Sequence, residues 1–304
     1  MSETASVDRS YRERLLSSFR DRQSQLAVTT GPSLLWLVLF LLTPVALMTA
    51  LSFVRVNPTT FQVVWEPSLG SYRTLITGDT FVSVVMLSFK IAAVTTLITL
   101  ALAFPVAYTL ATRLERSFGV VIFLVLLPFF TMYIVRAYSW LLLFGSGGIL
   151  NTLLIRLGVI SQPTGLFEFG QAAIVVGLVH AYFPYMLLSL YASLDGLDFS
   201  LVEAARDLGA SRIETFVDVV LPLVMPGMIA GSLFVFVPSL GAFITPRFLG
   251  QGKILMLGLY IEQRIGSLYQ VDYASAASMI IVLTIVVLFG LSFRYIDIED
   301  LGGV

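Results

Sequence analysis

The 304-residue chain contains no cysteine and one histidine, His180. The first absence excludes disulfides, thiolate zinc sites, iron–sulfur clusters and cysteine nucleophiles together. The second leaves almost nothing from which to build a histidine metal site or a histidine-dependent triad. Charge is scarce as well: 12% of residues are charged, where soluble domains average about 25%. A net charge of −1 offers no basic stripe to a nucleic acid. No Gly-x-x-x-x-Gly-Lys-Ser/Thr occurs. Gly250-Gln251-Gly252-Lys253 is only superficially similar, because Arg247 and Ile254 occupy the positions that a phosphate-cradling loop reserves for Gly and Ser/Thr.

What the chain has instead is apolar length. Hydrophobic residues make up 57% of it, far above a cytosolic globule, and the sequence reads as an all-α integral membrane protein. Six stretches reach the roughly 20 residues a bilayer-crossing helix needs: 33–54, 81–112, 118–144, 171–194, 222–248 and 272–293. Their apolar runs are continuous, which suits helices and not the alternating strands of a barrel. A helix also satisfies its own backbone polar groups, as lipid cannot. The polar tail 1–31 carries Arg9, Arg12, Arg14, Arg20 and Arg22, and Pro32–Val54 is too long for a cleaved leader. With that tail in the cytoplasm, 10 of the 18 Lys/Arg lie inside, in the sense of the positive-inside rule. The expected organisation is a cytoplasmic tail 1–31, a six-helix domain 32–295 and a cytoplasmic tail 296–304, in the cell (inner) membrane.

The long loops 55–80 and 145–170 should form irregular caps or short interfacial helices on the outer face. Lys90, nine residues into the second stretch, suits a lysine snorkelling to the interface. The one substantial internal cytoplasmic loop is 196–221. Ser200-Leu201-Val202-Glu203 fits a capping box. Leu201, Ala204, Ala205 and Leu208 fall at i, i+3, i+4 and i+7 and make one apolar face. Gly209 stands where a left-handed residue would end a helix. Ser211-Arg212-Ile213-Glu214 is a second capping box, and a second helix can run to Val220. A short apolar face ringed by Glu203, Arg206 and Asp207 either folds back on its own spans and the headgroups or enters a groove on another protein.

Glu203-Ala204-Ala205, then Gly209, Val219 and Leu221-Pro222 at fixed offsets, resemble the EAA loop of ABC-importer permeases, which usually has Ile where Val219 stands. Pro128-Phe129-Phe130-Thr131, Arg136-Ala137-Tyr138-Ser139-Trp140, Gly148-Ile149-Leu150-Asn151 and Tyr182-Phe183-Pro184-Tyr185-Met186 extend the likeness to spermidine/putrescine-type permeases. So do Pro226-Gly227 through Ser232 and Phe236 through Gly241, followed by Thr245-Pro246. The resemblance covers about residues 30–295. It implies a type I importer permease fold whose coupling helix, with Leu201, Glu203, Ala204, Ala205, Asp207, Leu208, Gly209, Leu221 and Pro222, sits in a cleft of a separate ATPase. Implied partners are an ABC ATPase dimer, a second permease subunit, an external solute-binding protein and the lipid bilayer, with no nucleic acid and no cofactor. The implied solute is a polyamine or a related compound. Related sequences often carry an acid directly after the Ser-Leu-Gly, where this chain has Ala242, and the broader family serves other small solutes such as iron, carboxylates or amines.

Several residues admit two readings. Arg136, with Tyr138 and Trp140, is an interfacial anchor or a pathway-lining cation. His180 is a hydrogen-bonded structural residue or part of a proton relay that lacks a nearby acid. Gly227-x-x-x-Gly231 permits close helix packing within the subunit or across a permease pair. Pro226, Pro238 and Pro246 break or bend the fifth stretch, and broken helices often mark solute sites, which brings Tyr185, Ser239, Phe243 and Thr245 towards the pathway. An ion-coupled secondary transporter would need acids within spans and an internal repeat, and neither is seen. An intramembrane enzyme would need a convergent nucleophile and base. A non-transporting scaffold or sensor is the third rival. Purified alone, the chain is expected to hydrolyse no ATP; turnover by a single-subunit preparation would contradict its lack of a phosphate loop.

Overall fold

In the computed structural model, residues 30–57, 59, 60, 62–113, 118–165 and 168–292 are described. The arginine-bearing tail 1–29, Arg116 and the segment 293–304 with Arg294 lie outside them. Among the described residues, five helices are long and apolar enough to cross a membrane. They are α1 (Thr30–Ser52), α3 (Asp79–Arg113), α7 (Gln171–Asp195), the continuous helical run Arg212–Leu240, and α13 (Val271–Ser292). The stretch 118–144, read as one straight span, is broken. Phe118–Phe130 and Tyr133–Leu143 (α5) meet at 90°, and counting this bent pair as one crossing gives six. The break follows from Pro128, which has no N–H to continue the helix: α4 (Phe118–Leu126) tightens into a 3₁₀ turn over Leu127–Phe130, and Thr131 is extended at ψ 145°.

The stretch 222–248 is also interrupted. Its helix α10 (Leu221–Leu240) ends before Gly241, and the short α11 (Ile244–Leu249) follows after three non-helical residues. The loops hold α2 (Gly70–Thr77), α6 (Ile149–Arg156) and α12 (Leu257–Gly266). They also hold an unanticipated antiparallel pair, β1 (Arg55–Val56) and β2 (Val63–Val64), in the register Arg55 to Val64. The Asn57 side chain starts that turn by accepting from the backbone N–H and the hydroxyl of Thr59. Asn151, fully buried, ties the loop after α5: its amide donates to the Gly145 carbonyl at 2.9 Å, and its carbonyl accepts from Thr164 N–H at 2.9 Å.

The centre of the bundle is α3, α7 and α10, packed against one another. On α3 the buried residues recur at three- and four-residue steps and are mostly small: Ser88, Ala92, Thr95, Thr99, Ala103 and Ala107. Small residues let backbones approach where lipid gives no hydrophobic drive between helices. The buried hydroxyls of Ser88, Thr96 and Thr99 bond back to their own helix, Thr99 to Thr95 O. At one end Leu194, Leu197, Val202 and Val220 join this core, and at the other Leu75, Phe81, Tyr260 and Ala276 form a second cluster under α2, α12 and α13. The most apolar stretch of α1 has no residue buried inside the chain. Lys90 is exposed.

The Gly-x-x-x-Gly pair of α10 packs within the chain, on α7. A Cβ on Gly227 would clash with Ser193 and lie 2.7 Å from Ser189 O, and one on Gly231 would lie 2.7 Å from Met186 Sδ. Gly227→Leu should therefore lower unfolding stability by about 1–3 kcal/mol, the usual range for overpacking. Gly290→Leu, where nothing lies within 4 Å, should leave the melting temperature of the purified chain unchanged.

Candidate functional site

Two regions gather the residues singled out from the sequence. The first lies where α7 ends. Helix α8 runs Phe199–Asp207 and is capped by Asp198, whose side chain accepts from Ser200 N–H at 3.0 Å. The expected Ser200 capping box does not form, because the helix begins two residues earlier, at Phe199, with Asp198 in place of Ser200 as its N-cap. Val202 is buried in the core, while Leu201 and Leu208 are 48% and 90% exposed. Glu203, Ala204 and Asp207 are exposed too, and Ala205 is half-buried. Of the expected apolar face, Leu201, Ala204 and Leu208 thus stay exposed and Ala205 is half-buried, while Phe199 and Val202 anchor the helix on the core.

Gly209 has φ +94°, the left-handed region in which a side chain is strained. The second capping box is present: Glu214 N–H donates to Ser211 Oγ and Ser211 N–H to Glu214 Oε2 at 2.7 Å. From α9 (Arg212–Thr215) the chain passes without a break through a π-helical turn, Phe216–Val220, into α10. Leu221 is half-buried and Pro222 exposed at the start of α10, where a proline is tolerated.

The second region is the bend before α5. One face of α5 presents Tyr133, Arg136, Ala137 and Trp140, spaced at i, i+3, i+4 and i+7, to Gly177, His180 and Ala181 on α7 and to Thr245 and Leu249 on α11. Tyr133 and Thr245 share a hydroxyl–hydroxyl hydrogen bond of 2.6 Å. Trp140 Nε1 donates to His180 Nδ1 at 3.3 Å. The Arg136 guanidinium carbon lies 4.4 Å from the centroid of the Phe129 ring. Tyr185 packs edge-on to Phe129 at 5.8 Å, and Tyr182 donates to Pro238 O, which α10 leaves free to accept.

So Arg136, Trp140, Tyr185 and Thr245 converge. Ser239 is fully buried with its hydroxyl turned back to Val235 O, Tyr138 packs on Phe248 at 4.5 Å, and Phe243 is 41% exposed. Phe129, Tyr133 and Tyr182 were not marked as site residues from sequence. The signal for Tyr133 is its i, i+3 spacing to Arg136, and for Tyr182 the same spacing to Tyr185. Among the described residues no group of three His, Asp or Glu could hold a metal ion.

An apolar bundle with a bent crossing and an unpartnered cap helix at one end suits a membrane transport component, and the family profile of binding-protein-dependent transport system inner membrane components matches residues 103–297. The chain belongs to this family. As an inner membrane component it is a multi-pass permease subunit of a binding-protein-dependent importer. It is 36% identical to the spermidine/putrescine transport system permease protein PotB of Escherichia coli over 251 residues, covering 83% of this chain and 90% of that one. PotB of Haemophilus influenzae is 36% identical over 227 residues, 75% of this chain and 78% of the other. The molybdenum transport system permease protein ModB of Mycobacterium bovis is 31% identical over 218 residues, 70% and 78%. In fold, the permease resembles a chain of a bacterial alginate ABC transporter crystallised with an alginate-bound periplasmic protein, with a TM-score of 0.66 at 17% identity over 90% of this chain and 94% of that one.

Hydrogen bonds from Ser200 hold the Asp198 carboxyl below its ordinary value, and those from Ser211 do the same for Glu214. Both groups are more acidic when folded than unfolded. Their capping contribution is therefore complete at neutral pH and fades as pH falls through and below the usual carboxylate range of about 4. A spin label at Leu208→Cys, unique in this cysteine-free chain, should stay immobile down to that range and gain mobility below it. Asp198→Asn, which keeps a capping oxygen but cannot titrate, should remove the acid transition of the α8 cap and leave the Glu214 cap unaffected.

Proposed function

We propose that this permease subunit moves its solute by alternating access driven through α8. In this reading the bundle crosses the membrane six times, with the bent pair as the third crossing, both termini in the cytoplasm and α8 projecting from the cytoplasmic side. Two ATPase subunits bind there, a second permease completes the pathway, and an external binding protein delivers the solute. The chain lacks a nucleotide-binding loop, so hydrolysis belongs to the separate subunit. ATP closes the nucleotide-binding pair, α8 moves as a rigid lever, and the spans re-pack from inward- to outward-facing, a domain-closure change. The names of the 36% identical relatives suggest a polyamine or a related small amine as solute.

The observation that carries this reading is the exposed apolar face of α8. Leu208 is 90% exposed, and large apolar side chains left bare beside a polar rim mark partner surfaces. A lever also needs a rigid grip on the spans. Val202 and Val220 supply it from the shared core, and Gly209 supplies a sharp elbow between two short helices.

In proteoliposomes holding the complete importer, Glu203→Lys and Gly209→Val should each cut ATP-driven uptake and binding-protein-stimulated ATPase activity at least tenfold, while the chain still inserts and co-purifies with the second permease. Gly209→Ala should be milder, since it adds one methyl to the same left-handed position. Normal uptake by the Lys and Val variants would refute the lever. Uptake that survives ATP depletion with an ion gradient intact would favour a secondary transporter.

A further inference from the structure

The pocket where α5, α7 and α11 meet is rich in hydrogen-bond donors and poor in acceptors. Nε and Nη1 of Arg136 are buried without a hydrogen-bond partner among the described residues. Since His180 Nδ1 accepts the Trp140 indole N–H, the neutral imidazole carries its proton on Nε2, a further donor. The Tyr133 and Thr245 hydroxyls share one hydrogen bond, which uses only one of their two protons. Two cavities adjoin at Trp140 and His180. The polar one, bounded by Tyr133, Arg136 and Thr245, measures about 10 Å³, room for one water molecule. The other, about 390 Å³, is apolar and is walled by Leu124, Pro128, Phe129, Phe183 and Pro184. No Asp or Glu lines either cavity. Arg247, the second arginine of this neighbourhood, is already ion-paired with Glu262.

A guanidinium withdrawn from water needs a counter-charge, and its planar fork pairs in two-pronged fashion with the oxygens of an anion such as a carboxylate. An ammonium group brought to the same place meets like charge and no acceptor carboxylate. We infer that Arg136 recognises a carboxylate on the transported solute, whose short aliphatic remainder lies in the Phe129-walled crevice. The inference rests on the permease reading but replaces the polyamine solute that the relatives' names suggest. The compound is an amine carboxylate or a simple carboxylate, distinct from the doubly cationic diamines in the relatives' names. Arg136 rests on the Phe129 ring that also walls the crevice, so a rotation about its own side chain delivers the guanidinium to an anion there.

The test uses matched four-carbon probes: putrescine, with ammonium at both ends, and 4-aminobutanoate, with a carboxylate at one end. The permease is studied in nanodiscs with Trp36→Phe and Trp65→Phe, leaving Trp140 as the sole fluorophore. 4-Aminobutanoate and butanoate should change Trp140 emission saturably, and putrescine should not. Arg136→Gln should weaken the carboxylate response about tenfold or more, the loss expected for a charge-assisted hydrogen-bonded pair, and Arg136→Lys should keep part of it. Saturation by putrescine at lower concentration than by either carboxylate would overturn the inference, even if the Gln variant fails to fold. So would the absence of saturation by any probe. An unchanged carboxylate titration in Arg136→Gln, with loss of the permease pair, would assign the guanidinium to an acid of the second subunit and overturn it as well. ATP dependence of uptake in proteoliposomes is scored separately, so a failure of the importer reading leaves its own signature.

Discussion

Close approach between backbones is the constraint on which the rest of this fold depends. Lipid tails are as apolar as leucine, so the helices gain little by burying leucine against leucine and must gain by fitting. The fit here is made by small residues: Ser, Thr and Ala along α3, and Gly227 and Gly231 of α10 against Ser189 and Ser193 of α7. With α3, α7 and α10 locked, the interrupted pieces around them have fixed places to stand. The bend before α5 brings Tyr133, Arg136 and Trp140 to α7, and α11 brings Thr245 to the same spot.

Hydropathy made the long helices legible, because α1, α3, α7 and α13 are long continuous apolar runs, α3 and α7 in spite of Pro105 and Pro184. It misjudged the other two. Pro128 is visible in the sequence, but its effect depends on whether neighbouring helices accept a right-angle turn, and that is tertiary information. Likewise Pro238 and Gly241 announce that the fifth stretch will be disturbed, though only the packing decides that α10 stops at Leu240 and that α11 restarts three residues after Gly241. The β1–β2 pair was hidden because two residues on each side are too few to show alternation.

Local chemistry was legible where one residue had one job. The Ser211–Glu214 box and the left-handed Gly209 follow from their own side chains. The start of α8 did not, because Asp198 and Ser200 are both good N-cap residues and which of them serves is set by where α7 lets the chain turn. In the aromatic cluster, Arg136, Trp140, Tyr185 and Thr245 were marked from sequence through their residue types. Tyr133 and Phe129 were missed because their importance comes from the face they share with Arg136 after the bend. Ser239 was marked for its position beside Pro238, yet its hydroxyl is spent on its own helix.

The π-helical turn at Phe216–Val220 has a consequence of its own. It places one surplus residue between the elbow at Gly209 and the membrane-crossing part of α10. A helix that carries such a surplus can absorb a change of pitch by shifting the bulge along its length, with no hydrogen bond lost overall. Torsion applied at one end then arrives at the other as a rotation of side-chain azimuth, and Phe216, seated edge-on against Phe104 of α3, is the first tooth such a rotation would turn.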